Sequence, residues 1–320
     1  MKDEGLNETR DEPPCVAREQ RRFGERFEVE ALVGSGGMGM VFRGRDLVDG
    51  QPVALKVLHR QGHVAGERFL REAEALAALA HPAIVRYVAH GATPQGEPYL
   101  AMEWLDGETL ADRLARGAVG CAATARLGSR VLQALAAAHA RGIVHRDIKP
   151  SNLFLPAADL DQVKLLDFGI ARRTQQDWQQ DWQQDWQVTR PGNAIGTPLY
   201  MAPEQARDGD AADGRADIFS LGCVLVECAT GKPPRLNAGS RTDTWDDAEL
   251  AELYSAVPQP LRAVLERMLA VEPALRPDDA EKLSTELASL AETLAAAGLD
   301  SQPSQRNRTL SGNEQRVAAV

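Results

Sequence analysis

Cysteine is scarce in this chain and never clustered. The four present, Cys15, Cys121, Cys223 and Cys228, form no C-x-x-C pair. That spacing argues against zinc sites and disulfides and favours free thiols in a reducing cytoplasm. Long apolar runs are also missing: nothing approaches the roughly 18–20 consecutive apolar residues of a membrane span. The N-terminus, MKDEGLNETRDEPP, is polar and acidic and has no signal-peptide core. Positive charge is in deficit, with a formal net charge of −10, so the total gives no sign of a nucleic-acid partner. What remains is ordinary globular material. The 320 residues are 43% apolar and 26% charged, enough to bury a core in one large domain or two smaller ones.

Composition divides the chain. Residues 1–23 are charged and contain proline, and are expected to be disordered. From Phe27 to Glu103 short β-prone runs recur between Gly, Asp and Pro turns: FEVEALV, MVFRGRD, PVALKVL, IVRYVAH and YLAMEWL. One helical stretch, ERFLREAEALAALA, interrupts them. From Glu108 helices dominate: TLADRLARG, TARLGSRVLQALAAAHARG, DIFSLGCVLVECATG, LRAVLERMLA and DAEKLSTELASLAETLAAAG. Past Leu299 the sequence is polar and linker-like. The expected plan is α+β: a β-rich lobe over 24–103, a helical lobe over 104–295, and tails at 1–23 and 296–320. The last residues, EQRVAAV, look like the start of a β-like run, so the chain is expected to be the front of a longer protein.

Four motifs carry chemistry. In Gly34-Ser35-Gly36-Gly37-Met38-Gly39-Met40-Val41 the glycines are followed by MVFRGRD, which alternates like a strand. No acid appears about 20 residues on, as a dinucleotide-binding fold would require. The favoured reading is a hairpin whose N–H groups lie over phosphates; the competing one is a Gly-rich turn with no ligand. Lys56 lies within the apolar run VALKVL and is costly to bury unpaired. Glu72 on the nearby helix is its candidate partner, with Glu74 the second choice; an exposed strand face is the bland alternative. His145-Arg146-Asp147-Ile148-Lys149-Pro150-Ser151-Asn152 packs an acid, a lysine and an amide onto one turn. Such a cluster can accept a hydroxyl proton, neutralise a phosphoryl group and hold a cation. Asp167-Phe168-Gly169 follows the strand-like VKLLD, and a carboxylate at a strand end suits a hard cation; alone the tripeptide means little.

In this order the motifs resemble the eukaryotic-like protein kinases of bacteria, over about residues 26–290. GSGGMGMV is similar to the Gly-rich loop, VALK to the lysine strand, and Glu72 to the helix glutamate. HRDIKPSN is similar to the catalytic loop and DFG to the metal-binding turn. Ala202-Pro203-Glu204 is similar to the end of an activation segment spanning 167–204, and Asp217 and Arg276 match further positions, the arginine paired with Glu204. The resemblance implies a two-lobed serine/threonine kinase using ATP and Mg²⁺, with Mn²⁺ as an alternative ion, on protein substrates.

It also implies roles. Val33, Gly34, Gly36, Gly39, Val41 and Ala54 would cover the nucleotide. Lys56, paired to Glu72, would grip the α- and β-phosphates. Met102 would be the gatekeeper, with Glu103 and Leu105 offering backbone groups to adenine. Asp147 would accept the substrate proton, Lys149 would stabilise the γ-phosphoryl group, and Asn152 and Asp167 would hold the metal. Arg146 would receive a phosphorylated activation loop. Thr189 is the candidate acceptor and Thr174 the alternative, whereas Thr197 resembles the threonine that bonds the catalytic Asp and Lys. No catalytic slot is substituted, which argues against a pseudokinase.

Within that segment Gln-Gln-Asp-Trp is repeated, placing Trp178, Trp182 and Trp186 at a period of four. The period suits one face of a helix or of a strand. Ordered together, the three rings would exceed the few hundred Å² of apolar patch that a monomer tolerates. They would then pack on the kinase body, on a second copy or on a partner. The alternative is a tandem expansion inside a loop that tolerates length.

Overall fold

The computed structural model describes residues 22–36, 39–58, 73–74, 76–168, 199–207, 212–234, 236–237, 244–245 and 247–299. Glu72, Thr174, Thr189, Thr197 and the Gln-Gln-Asp-Trp repeat lie outside them.

Six antiparallel strands form the first lobe: β1 (Arg22–Phe23), β2 (Phe27–Gly36), β3 (Gly39–Asp46), β4 (Pro52–Leu58), β5 (Tyr87–Ala92) and β6 (Pro98–Glu103). Their order is β1-β2-β3-β4-β6-β5. Phe27, Val53, Leu55, Val57, Tyr99 and Ala101 supply the apolar side of this sheet. The expected disordered tail therefore ends sooner than residue 23. Phe23 is buried, its ring edge-on to Phe42 and tilted against Tyr99, and apolar burial outweighs the cost of ordering two residues. The run IVRYVAH is strand only from Tyr87. Ile84 instead makes an isolated parallel bridge to Leu165 in the other lobe. Of the expected helix ERFLREAEALAALA, the described residues 73, 74, 76 and 77 are helical.

The second lobe is built on helices α1 (Leu110–Leu114), α2 (Cys121–His139), α3 (Pro203–Arg207), α4 (Gly214–Thr230), α5 (Asp247–Ser255), α6 (Gln259–Met268) and α7 (Ala280–Ala296). Local chemistry sets their ends. Thr109 and Asp112 form a reciprocal capping box on α1, Asp213 caps α4, and Asp279 caps α7. Gly231, at φ 79°, closes α4. α4 is buried on nearly every side, as its low charge content requires, and forms the axis of the lobe. A small sheet, β7 (Gly107–Thr109), β8 (Leu153–Pro156) and β9 (Lys164–Leu165), sits where the lobes meet. β9 falls within the strand-like VKLLD, whereas β7 and β8 were not read as strands, because three or four residues are too short to show a period.

Candidate active site

The cleft between the two sheets has an open volume of about 450 Å³. Val41 of β3 and Ala54 of β4 line one wall, and Phe154 of β8 and Leu166 the other. Val85 and Met102 close the back, and Glu103-Trp104-Leu105 forms the linker edge. Val41, Ala54, Met102, Glu103 and Leu105, named from the sequence as candidate nucleotide-site residues, all line this cleft. Val85, Trp104, Phe154 and Leu166 were not singled out, since apolar residues in short strands look like ordinary core. Among the described residues no internal hydrogen bond takes up the Leu105 N–H or C=O. The linker thus keeps one donor and one acceptor for a ligand edge.

The described glycines of the run lie on two antiparallel strands, β2 and β3. Gly34 pairs with Val41 and Gly36 with Gly39, while Val33 lies on β2. A helix does not follow, so the dinucleotide-fold alternative is excluded. Gly39 is required by contact as well as by backbone. At φ 152° a Cβ there would lie 2.0 Å from the Val57 carbonyl oxygen.

Lys56 is buried and its Nζ lies 2.6 Å from Asp167 Oδ2. Residues far apart in sequence therefore meet at the cleft. With Glu72 outside the described residues, Asp167 is the described counter-charge for this ammonium, a pairing the sequence reading did not make. It satisfies the demand that a buried cation be paired.

The catalytic-type loop is suspended from α4. Asp217, fully buried, accepts the backbone N–H of His145 at 2.9 Å and of Arg146 at 2.7 Å, and its Oδ2 is 2.8 Å from His139 Nε2. Gln205 Nε2 donates to the Arg146 carbonyl at 2.9 Å. This grip holds Arg146 at φ 66°, a conformation that costs a non-glycine residue about 1–2 kcal/mol. Asp167 is likewise left-handed at φ 46°. His145 is buried against the Phe168 ring, with centroids 4.7 Å apart. Its Nδ1 accepts from the Asp147 N–H at 3.2 Å, so its Nε2 carries the proton given to the Leu166 carbonyl at 2.7 Å. One imidazole thus fixes the loop against the residue before Asp167.

On that loop Asp147 Oδ2 accepts from Asn152 Nδ2 at 2.9 Å and pairs with Lys149 Nζ at 3.0 Å. Asn152 Nδ2 also donates to the Asp147 carbonyl at 2.8 Å, and the Asn152 carbonyl takes the Leu166 N–H at 2.9 Å. The amide is therefore turned so that Oδ1 stays free of these bonds. A carboxylate, an ammonium and an amide oxygen share one rigid turn beside Asp167.

Residues 27–289 match the family model "Protein kinase domain". The chain belongs to the protein kinase domain family. It is similar to the serine/threonine-protein kinase Pkn2 of Myxococcus xanthus, 37% identical over 282 residues, covering 85% of this chain and 33% of that protein. It is also similar to the serine/threonine-protein kinase PknB of Mycobacterium tuberculosis, 42% identical over 219 residues, covering 66% of this chain and 33% of that protein. The chain thus spans about a third of the length of these relatives. Among solved structures it resembles Rad53 1–466 in complex with AMP-PNP, with a TM-score of 0.63 and 25% identity over 82% of this chain and 65% of that one.

The kinase domain anchors the start of α3 firmly. Arg276 holds Glu204 in a bidentate pair at 2.6 and 2.8 Å, donates to the carbonyls of Ala270, Arg215 and Val271, and covers the Phe219 ring. The Arg276–Glu204 pairing is the one the resemblance implies. Tyr200 donates to Glu227 at 2.6 Å; burial pushes both the phenol and the carboxyl up. Burial also raises the Cys223 and Cys228 thiols, which are core groups rather than reactive ones. At the linker, Glu103 Oε1 accepts from Lys164 Nζ at 2.6 Å and from the Arg86 N–H at 2.8 Å. That carboxylate ties β6, β9 and the approach to β5 together.

Proposed function

We propose that this domain is an ATP-dependent protein serine/threonine kinase. The observation that carries the reading is the convergence of Lys56 and Asp167 with the Asp147–Lys149–Asn152 turn at one cleft. The base of ATP would enter the apolar slot and meet the Glu103 carbonyl and the Leu105 backbone. The glycine hairpin would cover its phosphates, and Lys56 would move from Asp167 onto the α- and β-phosphates.

Asn152 Oδ1 and the Asp167 carboxylate form a hard-oxygen pair. That fits Mg²⁺, which is held by one or two protein oxygens plus phosphates and water; Mn²⁺ suits the same donors. Bound there, the ion would neutralise charge on the triphosphate. The substrate hydroxyl would approach Asp147 Oδ1, which is left by the bonds made at Oδ2. As its oxygen bonds to the γ-phosphorus and the bond to the ADP oxygen breaks, its proton passes to Asp147. Lys149 would face the transferring group.

The reading extends to autophosphorylation at Thr189, or at Thr174. It is supported by Arg146, whose Nη2 is bonded to the Ala212 carbonyl at 3.1 Å while its buried Nε has no hydrogen bond among the described residues. A guanidinium so placed has a donor left for a phosphate. Thr197 is proposed to bond the catalytic Asp and Lys. Self-association through the tryptophan repeat is proposed on the sequence alone. Among the described residues no helix is long and apolar enough to cross a membrane; the cytoplasm, with its reduced thiols, is the proposed compartment.

Transfer from labelled ATP tests the reading. Asp147→Asn should cut the rate by about 10²–10⁴-fold, and labelling equal to wild type would refute the assigned base. Running the assay across enzyme concentration reads self-association. A rate per enzyme that rises with concentration supports it, and a flat rate removes it.

A further inference from the structure

Trp104 sits in the linker and lines the mouth of the cleft, half-buried. Its indole is held from several directions. The backbone N–H reaches the Pro52 carbonyl at 3.4 Å, and Nε1 donates to Asp106 Oδ1 at 2.9 Å. The Arg43 guanidinium lies over the ring, 5.1 Å from its centroid. Arg43 is two residues beyond Val41 on β3 and pairs in register with Ala54, so it shares the face of β3 that lines the cleft. Its Nε lies 3.3 Å from Glu30 Oε2 on β2. A chain Glu30–Arg43–Trp104–Asp106 therefore crosses from the strands of the glycine hairpin to the linker at the entrance of the base slot.

We propose that Arg43 is a nucleotide-positioning residue: stacked on Trp104, it holds the indole as the outer wall of the base slot and so sets the affinity for ATP. The inference rests on the kinase reading. A cation over an indole face is attracted by the ring quadrupole, and the contact is strongest for tryptophan. Without it the ring regains rotamers, and each must be lost again when a base packs against it. The base is remote from the transferring phosphoryl group, so the contact is the same in the ground state and the transition state. Its loss appears in KM and leaves kcat alone.

The test is a double-mutant cycle on the whole chain with Arg43→Ala, Trp104→Leu and the double variant, plus Arg43→Lys. KM for ATP, kcat and ATP affinity by calorimetry are measured on each. Arg43→Ala should raise KM and the dissociation constant about two- to fivefold, the range of an exposed cation–π contact. The rate kcat should be unchanged, and Arg43→Lys should restore most of the loss. Once Trp104→Leu is present, Arg43→Ala should add nothing. Unchanged ATP affinity in Arg43→Ala, additive losses in the double variant, or a fall in kcat parallel to a fall in melting temperature would each overturn the inference. Calorimetry keeps the two readings separate. A wild type that binds ATP but transfers nothing removes the kinase assignment, while the Arg43 inference still stands or falls on the affinities.

Discussion

Asp46 is an acid with 1% of its surface exposed, at the end of β3. Its carboxylate accepts Arg26 Nη2 at 2.7 Å and Nε at 3.0 Å, and Oδ1 caps the turn through the Val48 N–H at 3.0 Å. The Arg26 bond, ahead of the opposing effect of burial, holds the carboxyl below its ordinary value of 3.8. A carboxyl depressed by folding stabilises the protein above its unfolded value. That contribution is lost as the pH falls through the lower, folded value. Asp46→Asn should therefore cost about 1.5–3 kcal/mol near neutral pH, the range for hydrogen bonds to charged groups. The gap in melting temperature from wild type should hold above the ordinary value of 3.8 and close only as the pH falls below it, through the depressed folded value. A gap that stays constant through that fall would show that charge plays no part. Nothing local in the sequence distinguishes Asp46 from a solvated turn residue, because Arg26 meets it only through the β2–β3 register.

At the scale of elements the same contrast holds. The strand PVALKVL matches β4 residue for residue, because its apolar run is bounded by a turn and carries its own period. The glycine hairpin was legible because alternation resumes straight after the glycines. The reading missed elements defined by a partner: β7 exists by pairing with β8. β9, within the strand-like VKLLD, has partners no local pattern shows: Leu165 N–H donates to the Ala83 carbonyl at 2.8 Å and its carbonyl accepts the Val85 N–H at 3.0 Å. The Glu103–Lys164 pair has the same long-range origin. One local feature also breaks its own rule. The turn after β8 places Ala157 at φ 51° and Ala158 at φ 59°, a left-handed pair usually given to Asn and Gly. Ala158→Gly should stabilise the domain by about 1 kcal/mol, since the Cβ clash exceeds the entropy that glycine adds to the unfolded chain. Chemical denaturation measures this, and a lower midpoint at unchanged slope would mean that the turn is not strained.

For the molecule as a whole, the polar residues of the candidate site were legible and their wiring was not: Asp147, Asn152 and Asp167 stand out as polar residues in apolar company, whereas the core linking the lobes is assembled from unremarkable residues. Val85 of one lobe and Phe154 and Leu166 of the other form a single buried cluster, with Met102 and Leu105 packed on it. The proposed nucleotide site is lined by this cluster, so binding and lobe coupling should be one equilibrium. A ligand held only by the native state stabilises it by about 2.7 kcal/mol at 100 times its dissociation constant. For a domain of this size that raises the melting temperature by roughly 5–10 °C. ATP with Mg²⁺ should therefore shift one cooperative transition, not split it. Chelating the metal should shrink the shift, and Asp167→Asn should leave a shift that no longer depends on metal. Scanning calorimetry with ATP alone, with ATP and Mg²⁺, and with chelator reads all three. A nucleotide-induced separation into two transitions would mean that ATP engages one lobe only. A shift indifferent to metal in the wild type would remove Asn152 and Asp167 from the metal site.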